Sequence, residues 1–194
     1  ETMGGLIEKI ISRNSPIPAI KEQIFTTHEN GQTALKIKIL QGERETSDNN
    51  RTLGEFILSN IPPKPAGIPR IKVSFSLDAD GMLFVSAKDE ETENETDISI
   101  KTNENLDLKE MRAIVESSIL NAKDDINQRM IIEAKIKAKS FLNEIKGVEK
   151  DIELLCSKND IESINKNIIM LQKAIESNDC DIIHEKIDNL NKST

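Results

Sequence analysis

The chain has 194 residues, a formal net charge of −8 and 3% aromatic residues, with five Phe and neither Trp nor Tyr. That length suffices for one large or two small cores, which must be built from Ile, Leu, Val and Met. An acidic chain without stacking aromatics argues against a nucleic-acid partner, because phosphate neutralisation needs clustered Lys and Arg, and no apolar run nears the ~20 residues of a membrane-spanning helix.

Residues 1 to about 104 read as short strands. Stretches 6–11 and 23–27 are the first two. Leu35-Lys36-Ile37-Lys38-Ile39-Leu40 alternates apolar and polar residues as a half-buried strand does, and 55–58 follows. Pro62, Pro63, Pro65 and Pro69 with Gly67 make the next segment a loop. Ile71-Lys72-Val73-Ser74-Phe75-Ser76-Leu77 repeats the alternation. Asp78-Ala79-Asp80-Gly81 then leads into Met82-Leu83-Phe84-Val85-Ser86-Ala87, a hairpin signal because Gly supplies the positive φ of such turns. A calcium loop would need a longer series of spaced oxygen ligands ending in Glu, so the acidic segment reads as a turn. Stretch 97–101 is the last strand.

From residue 105 the period changes. Asp107-Leu108-Lys109-Glu110 resembles a capping box. Met111, Ile114, Val115, Ser118 and Ile119 share one helical face, and a longer run places Ile126, Met130, Ala134, Ala138, Phe141 and Ile145 at spacings of three and four. Ile161, Ile164, Ile168, Leu171 and Ile175 continue the rhythm, as do Ile183, Ile187 and Leu190, with Asp160 and Asp179 as N-cap candidates. The expected architecture is an antiparallel β-sandwich over 1–104 followed by an α-helical bundle over 105–194, two domains in series.

Catalytic chemistry is not visible. His28 and His184 lie in different predicted domains. Cys180 and His184, four apart on a helix, offer two ligands where zinc takes three or four from protein. Gly4-Gly5 lacks the Lys and Ser/Thr of a phosphate loop. Cys156 and Cys180 have no partner motif and read as reduced thiols, which predicts a cytoplasmic protein. Neither a catalytic nor a metal site is expected.

The residues themselves say more than their pattern. Glu1-Thr2-Met3-Gly4-Gly5 and Asn14-Ser15-Pro16-Ile17-Pro18 resemble the start of the substrate-binding domain of DnaK-type seventy-kilodalton heat-shock chaperones. Gln23-Ile24-Phe25-Thr26-Thr27, Leu40-Gln41-Gly42-Glu43-Arg44 and Val85-Ser86-Ala87-Lys88-Asp89 are similar to the same family in the same order. Ile61-Pro62-Pro63-Lys64-Pro65-Ala66-Gly67 resembles the branch devoted to iron–sulfur cluster assembly. Ala66 stands where general members carry a latching Arg, and the matching lid position is Lys139, so that charge-assisted latch cannot form between them.

The resemblance implies that 1–104 grips an extended client peptide and that 105–194 is a helical lid. Phe25, Leu35, Ile37, Ile71 and Val73 would line the central pocket, although by alternation alone the last four read as plain core. Thr2 and Thr26 would bond the peptide backbone, and Met3 and His28 would arch over it. The implied client is the iron–sulfur scaffold protein, read through a Leu-Pro-Pro-Val-Lys motif, with a J-domain co-chaperone acting through the full-length protein. ATP would be held by a nucleotide-binding domain lying before Glu1. The chain is therefore expected to be a fragment without a cofactor and not itself an enzyme. A general chaperone preferring Leu-rich segments, or a self-associating structural module, are the alternatives.

Overall fold

The computed structural model describes residues 2–102, 108–148 and 156–193, and of Leu108 the backbone alone. The expected change of character between residues 104 and 105, and the expected cap at Asp107, lie outside the described residues. The chain divides into two compact units, Glu1–Ala122 and Lys123–Thr194.

The first unit carries strands β1 (Ala19–Phe25), β2 (Leu35–Gln41), β3 (Arg51–Leu58), β4 (Ile71–Leu77), β5 (Met82–Asp89) and β6 (Glu95–Lys101). Every pairing is antiparallel. One sheet runs in the order β1-β4-β5-β6, and β2 pairs with β3 as a two-stranded ribbon. Side chains alternate across a strand, so one face of each layer turns inward. Ile71 and Val73 of β4 and Leu83, Val85 and Ala87 of β5 meet Ile39 of β2 and Leu58 of β3 in a single buried cluster. On the four-stranded sheet the opposite face is mostly polar, with Ile20, Ile24 and Phe84 exposed on it; Ile20 and Phe84 are aligned through Ser76, which pairs with each.

Gly54 shows why the two layers can approach. A Cβ there would lie 3.0 Å from Ile100 Cδ1 and 3.3 Å from Ile98 Cδ1, so a side chain at 54 would push those two Ile back where β3 lies against β6. The β4–β5 hairpin is closed by Asp78. Its Oδ1 accepts from the backbone N–H of Asp80 (2.9 Å) and Met82 (2.8 Å), and Gly81 takes a φ of 80°. The acidic segment is thus a turn whose carboxylate serves its own backbone.

Residues 6–11 do not form the expected strand. Leu6 makes an isolated bridge to Thr46, and the Ile7 N–H donates to the Glu45 carbonyl at 3.1 Å. Leu6 and Ile7 are adjacent and both buried, unlike the one-sided burial of a half-buried strand.

Helix α1 (Leu108–Gly147) is one continuous element of 40 residues, and its residues up to Ala122 belong to the first unit. In the second unit α2 (Lys158–Glu176) and α3 (Cys180–Ser193) follow. Ala134, Ala138, Leu142 and Ile145 of α1 share a buried cluster with Ile164, Leu171 and Ala174 of α2 and Ile183, Ile187 and Leu190 of α3. Ser157, rather than Asp160, is the N-cap of α2. Asp160 occupies the third helical position and completes a capping box, accepting from the Ser157 N–H while Ser157 Oγ accepts from its own. Asp179 caps α3 as expected, its Oδ1 accepting from the N–H groups of Asp181 and Ile182 at 2.9 and 3.0 Å. No helix among the described residues is long and apolar enough to cross a membrane.

Candidate functional site

The first unit holds a cavity of about 1440 Å³, larger than the roughly 300–1,000 Å³ of small-molecule sites. Its walls follow from the strand pleat. Leu35, Ile37 and Ile39 are alternate residues of β2, and Val73, Phe75 and Leu77 are alternate residues of β4, so each trio presents one apolar row. Phe25 closes β1, where it pairs with Ile71, and its half-buried ring joins the same wall. Met111, Ile114 and Val115, from the first turns of α1, add apolar side chains.

Of the residues singled out from sequence, Thr2, Met3, Phe25, Thr26, His28, Leu35, Ile37 and Val73 all line this cavity. Ile71 does not. It is fully buried in the core between the layers, which is the role that alternation alone assigned it. Val73 belongs to both, since it is 1% exposed and reaches the cavity floor. Thr2 is already engaged: its N–H and its hydroxyl both donate to the Leu6 carbonyl, at 2.6 and 3.1 Å. Thr26, Met3 and His28 are exposed. The His28 Nε2 lies 3.4 Å from Glu29 Oε1.

The rim loop that carries His28 is bonded to the proline-rich segment. Gly31 N–H donates to the Lys64 carbonyl (2.8 Å), Gly67 N–H to the Thr27 carbonyl (2.9 Å) and Ile61 N–H to the Thr33 carbonyl (2.9 Å). Ala66 N–H donates to Asn30 Oδ1 at 2.8 Å. Sequence reading missed Thr27, whose buried Oγ1 finds no hydrogen-bond partner among the described residues, a burial that costs about 1–3 kcal/mol. It also missed Gln32, Ile39 and Phe75 at the cavity wall. The last two were in reach, because each continues a row whose first members were named.

The cavity offers apolar surface with polar groups at its rim, and among the described residues no cluster of three or more His, Cys, Asp or Glu could hold a metal ion.

Comparison with known proteins agrees in one direction. The family model described as Hsp70 protein matches residues 1–194. The chain is 42% identical over its whole length to the chaperone protein HscA of Photorhabdus laumondii, covering 32% of that protein. It is 39% identical over its whole length to an HscA homolog of Shewanella woodyi, covering 31% of it. Over 71% of the chain it is 46% identical to an HscA homolog of Haemophilus influenzae, covering 22% of that protein. The chain thus spans about a third of the length of the first relatives it matches.

This match overrides two expectations: that the chain is no enzyme because it lacks the ATPase domain, and that it has no cofactor because ATP sits in a missing nucleotide-binding domain. The model of an ATP-hydrolysing family runs over residues 1–194 and gives no boundary between an ATPase part and the rest, so both expectations are withdrawn. Matched over its full length and with relatives at 39–46% identity, the chain belongs to the Hsp70 family of chaperones.

Proposed function

We propose that this chain binds extended client peptides, with residues 1–104 as the gripping β-sandwich and 105–194 as its lid, and that its client is the scaffold protein of iron–sulfur cluster assembly. The observation that carries the reading is the cavity wall. Apolar rows from β2 and β4, with Phe25, lie beneath a rim that includes Met3, Thr26 and His28. An extended peptide suits it, because alternate side chains fill pockets while backbone groups bond the rim. The branch assignment rests on Ile61-Pro62-Pro63-Lys64-Pro65-Ala66-Gly67 and on relatives named HscA. In this reading the protein works in the cytoplasm, and a J-domain co-chaperone acts through the full-length protein.

Magnitudes fit a reversible binder. One Leu buried in a pocket gives roughly 1.5–3 kcal/mol, and a few backbone hydrogen bonds add ~0.5–1.5 kcal/mol each against the cost of ordering the peptide. The sum approaches the ~8 kcal/mol of micromolar affinity.

Fluorescence anisotropy of a labelled Leu-Pro-Pro-Val-Lys peptide, competed by a generic Leu-rich peptide, tests the proposal. Micromolar binding that the generic peptide displaces poorly is the expected result. Equal displacement makes the chain a general chaperone, and no binding to either removes the reading. A second reading, self-association, draws on Ile119 and Leu120 of α1, which are 69% and 82% exposed where apolar surface often marks an interface. Sedimentation separates the two: assembly that excess peptide leaves unchanged favours self-association.

A further inference from the structure

The loop from residue 26 to residue 34 joins β1 to β2 and sets His28 on the cavity rim, and one side chain holds its residues 28 and 29. Gln32 Oε1 accepts from the backbone N–H of His28 (3.2 Å) and of Glu29 (3.4 Å), while Nε2 donates to the Ala34 carbonyl (2.7 Å). The backbone closes the same turn, with the Gln32 N–H donating to the Glu29 carbonyl at 3.3 Å. Two N–H donors on one side and a carbonyl on the other fix which way the amide points. Only Gln satisfies all three groups: Glu has no donor for Ala34, and Asn is one methylene short.

Gln32 itself lines the cavity, so the group that shapes the rim stands at the place where a ligand enters and leaves. The bonds to the proline-rich segment anchor this loop at Thr27, Asn30, Gly31 and Thr33, and Gln32 supplies the hold on the intervening residues 28 and 29. We infer that Gln32 is a positioning residue for peptide binding: its amide fixes His28 over the cavity and thereby sets how long a bound peptide stays. The inference rests on the peptide-binding reading above. A rim held in place beforehand spares the ordering cost on binding, and changes of this kind appear mainly in the dissociation rate.

The test uses the full chain, its Gln32→Ala and Gln32→Glu variants, and a fluorescein-labelled Leu-Pro-Pro-Val-Lys peptide. Gln32→Ala is expected to speed dissociation about tenfold with association changed less than about twofold. Gln32→Glu keeps both acceptor contacts but turns a carboxylate oxygen toward the Ala34 carbonyl, so it should recover only part of the loss. In the peptide-free chain, amide hydrogen exchange at His28 and Glu29 should quicken by about tenfold in Gln32→Ala, while Ile37 and Val73 amides stay as in wild type. A dissociation rate within about twofold of wild type, or unchanged exchange at both amides, overturns the inference. Faster exchange beside a wild-type chain that binds no peptide also overturns it. That outcome locates the failure in the peptide reading, since the hold on the loop is then real but serves no client.

Discussion

Sγ of Cys180 lies 3.5 Å from Nδ1 of His184, one helical turn further on, and 3.7 Å from the Met130 carbonyl. The pair does not make a reactive thiol. Burial first, then the carboxylates of Asp181, Asp179 and Glu133, push the Cys180 thiol above its ordinary value of 9.0, so the protonated form is kept in the folded chain. A group whose pKa is raised on folding lends stability that is full below the unfolded value and is lost as pH climbs through the folded one. In a Cys156→Ser background, alkylation of Cys180 by iodoacetamide should reach half its limiting rate at a higher pH than a free cysteine peptide. Asp181→Asn should lower that midpoint. A midpoint at or below the peptide's would contradict this account.

Leu35 and Val85 separate binding from folding. Leu35 lines the cavity and is half-buried, whereas Val85 is wholly buried between the layers and lies off the cavity. Leu35→Ala should weaken peptide binding about tenfold through lost apolar contact and change the urea midpoint little. Val85→Ala should cost about 2 kcal/mol of stability through the cavity it leaves, with affinity unchanged in the folded fraction. Anisotropy and urea titration on both variants check the pair, and identical effects of the two would undo the distinction.

Gly42 cannot gain a side chain. Its φ is 152°, and a Cβ would sit 2.0 Å from Asn50 Oδ1. Asn50 ties the loop after β2 together, accepting from the Arg44 N–H (3.2 Å) and donating to the carbonyls of Arg44 (2.9 Å) and Thr46 (2.7 Å). Gly42→Ala must expel that side chain and strain the backbone, so a loss on the order of 3 kcal/mol is expected in chemical unfolding. An unfolding midpoint equal to wild type would mean that the loop has another way to close.

Ser157→Ala removes the hydroxyl end of the capping box at α2, where Ser157 Oγ also donates to Asp160 Oδ2 at 2.6 Å. The expected cost is about 1 kcal/mol, visible as earlier helix loss in a urea titration followed by far-ultraviolet circular dichroism. Ser157→Thr, which keeps both the acceptor and the hydroxyl donor, should lose much less.

Strands with clean alternation were legible in the sequence. The β4 bounds coincide with the run from Ile71 to Leu77, and β2 extends the alternating stretch by one residue. The misses share a cause, namely that the residue pattern was answering a tertiary demand. β3 begins at Arg51 rather than at residue 55, because Gly54 reads as a breaker until Ile98 and Ile100 are seen against it. β1 begins at Ala19, ahead of the expected residue 23, since Ile20 and Ile24 face outward and blur the alternation. In α1 the stripe continued through Ile126 and Met130, yet both are exposed, and the buried residue beside Phe141 is Leu142. Helical spacing identifies a face but not the length of it that meets a partner. For the cavity, the rows on β2 and β4 were legible as rows, and resemblance supplied their neighbours Met3 and His28. Gln32 was not legible, because three hydrogen bonds to backbone atoms leave no trace in hydropathy.

The bonds joining residues 27–33 to residues 61–67 bear on how such proteins diverge. Gly31 with Lys64, Gly67 with Thr27, and Ile61 with Thr33 meet through backbone atoms alone, so side chains there can change without removing a partner, except at Gly31 and Gly67, whose φ of 74° and 82° favours glycine. Asn30 differs, since its side chain receives the Ala66 N–H. Insertion or deletion is another matter. A change of length on one side leaves donors or acceptors on the other with nothing opposite them. The two segments therefore form one heritable cassette, and a chimera that exchanges either alone between relatives should misfold at the rim where an exchange of both together succeeds.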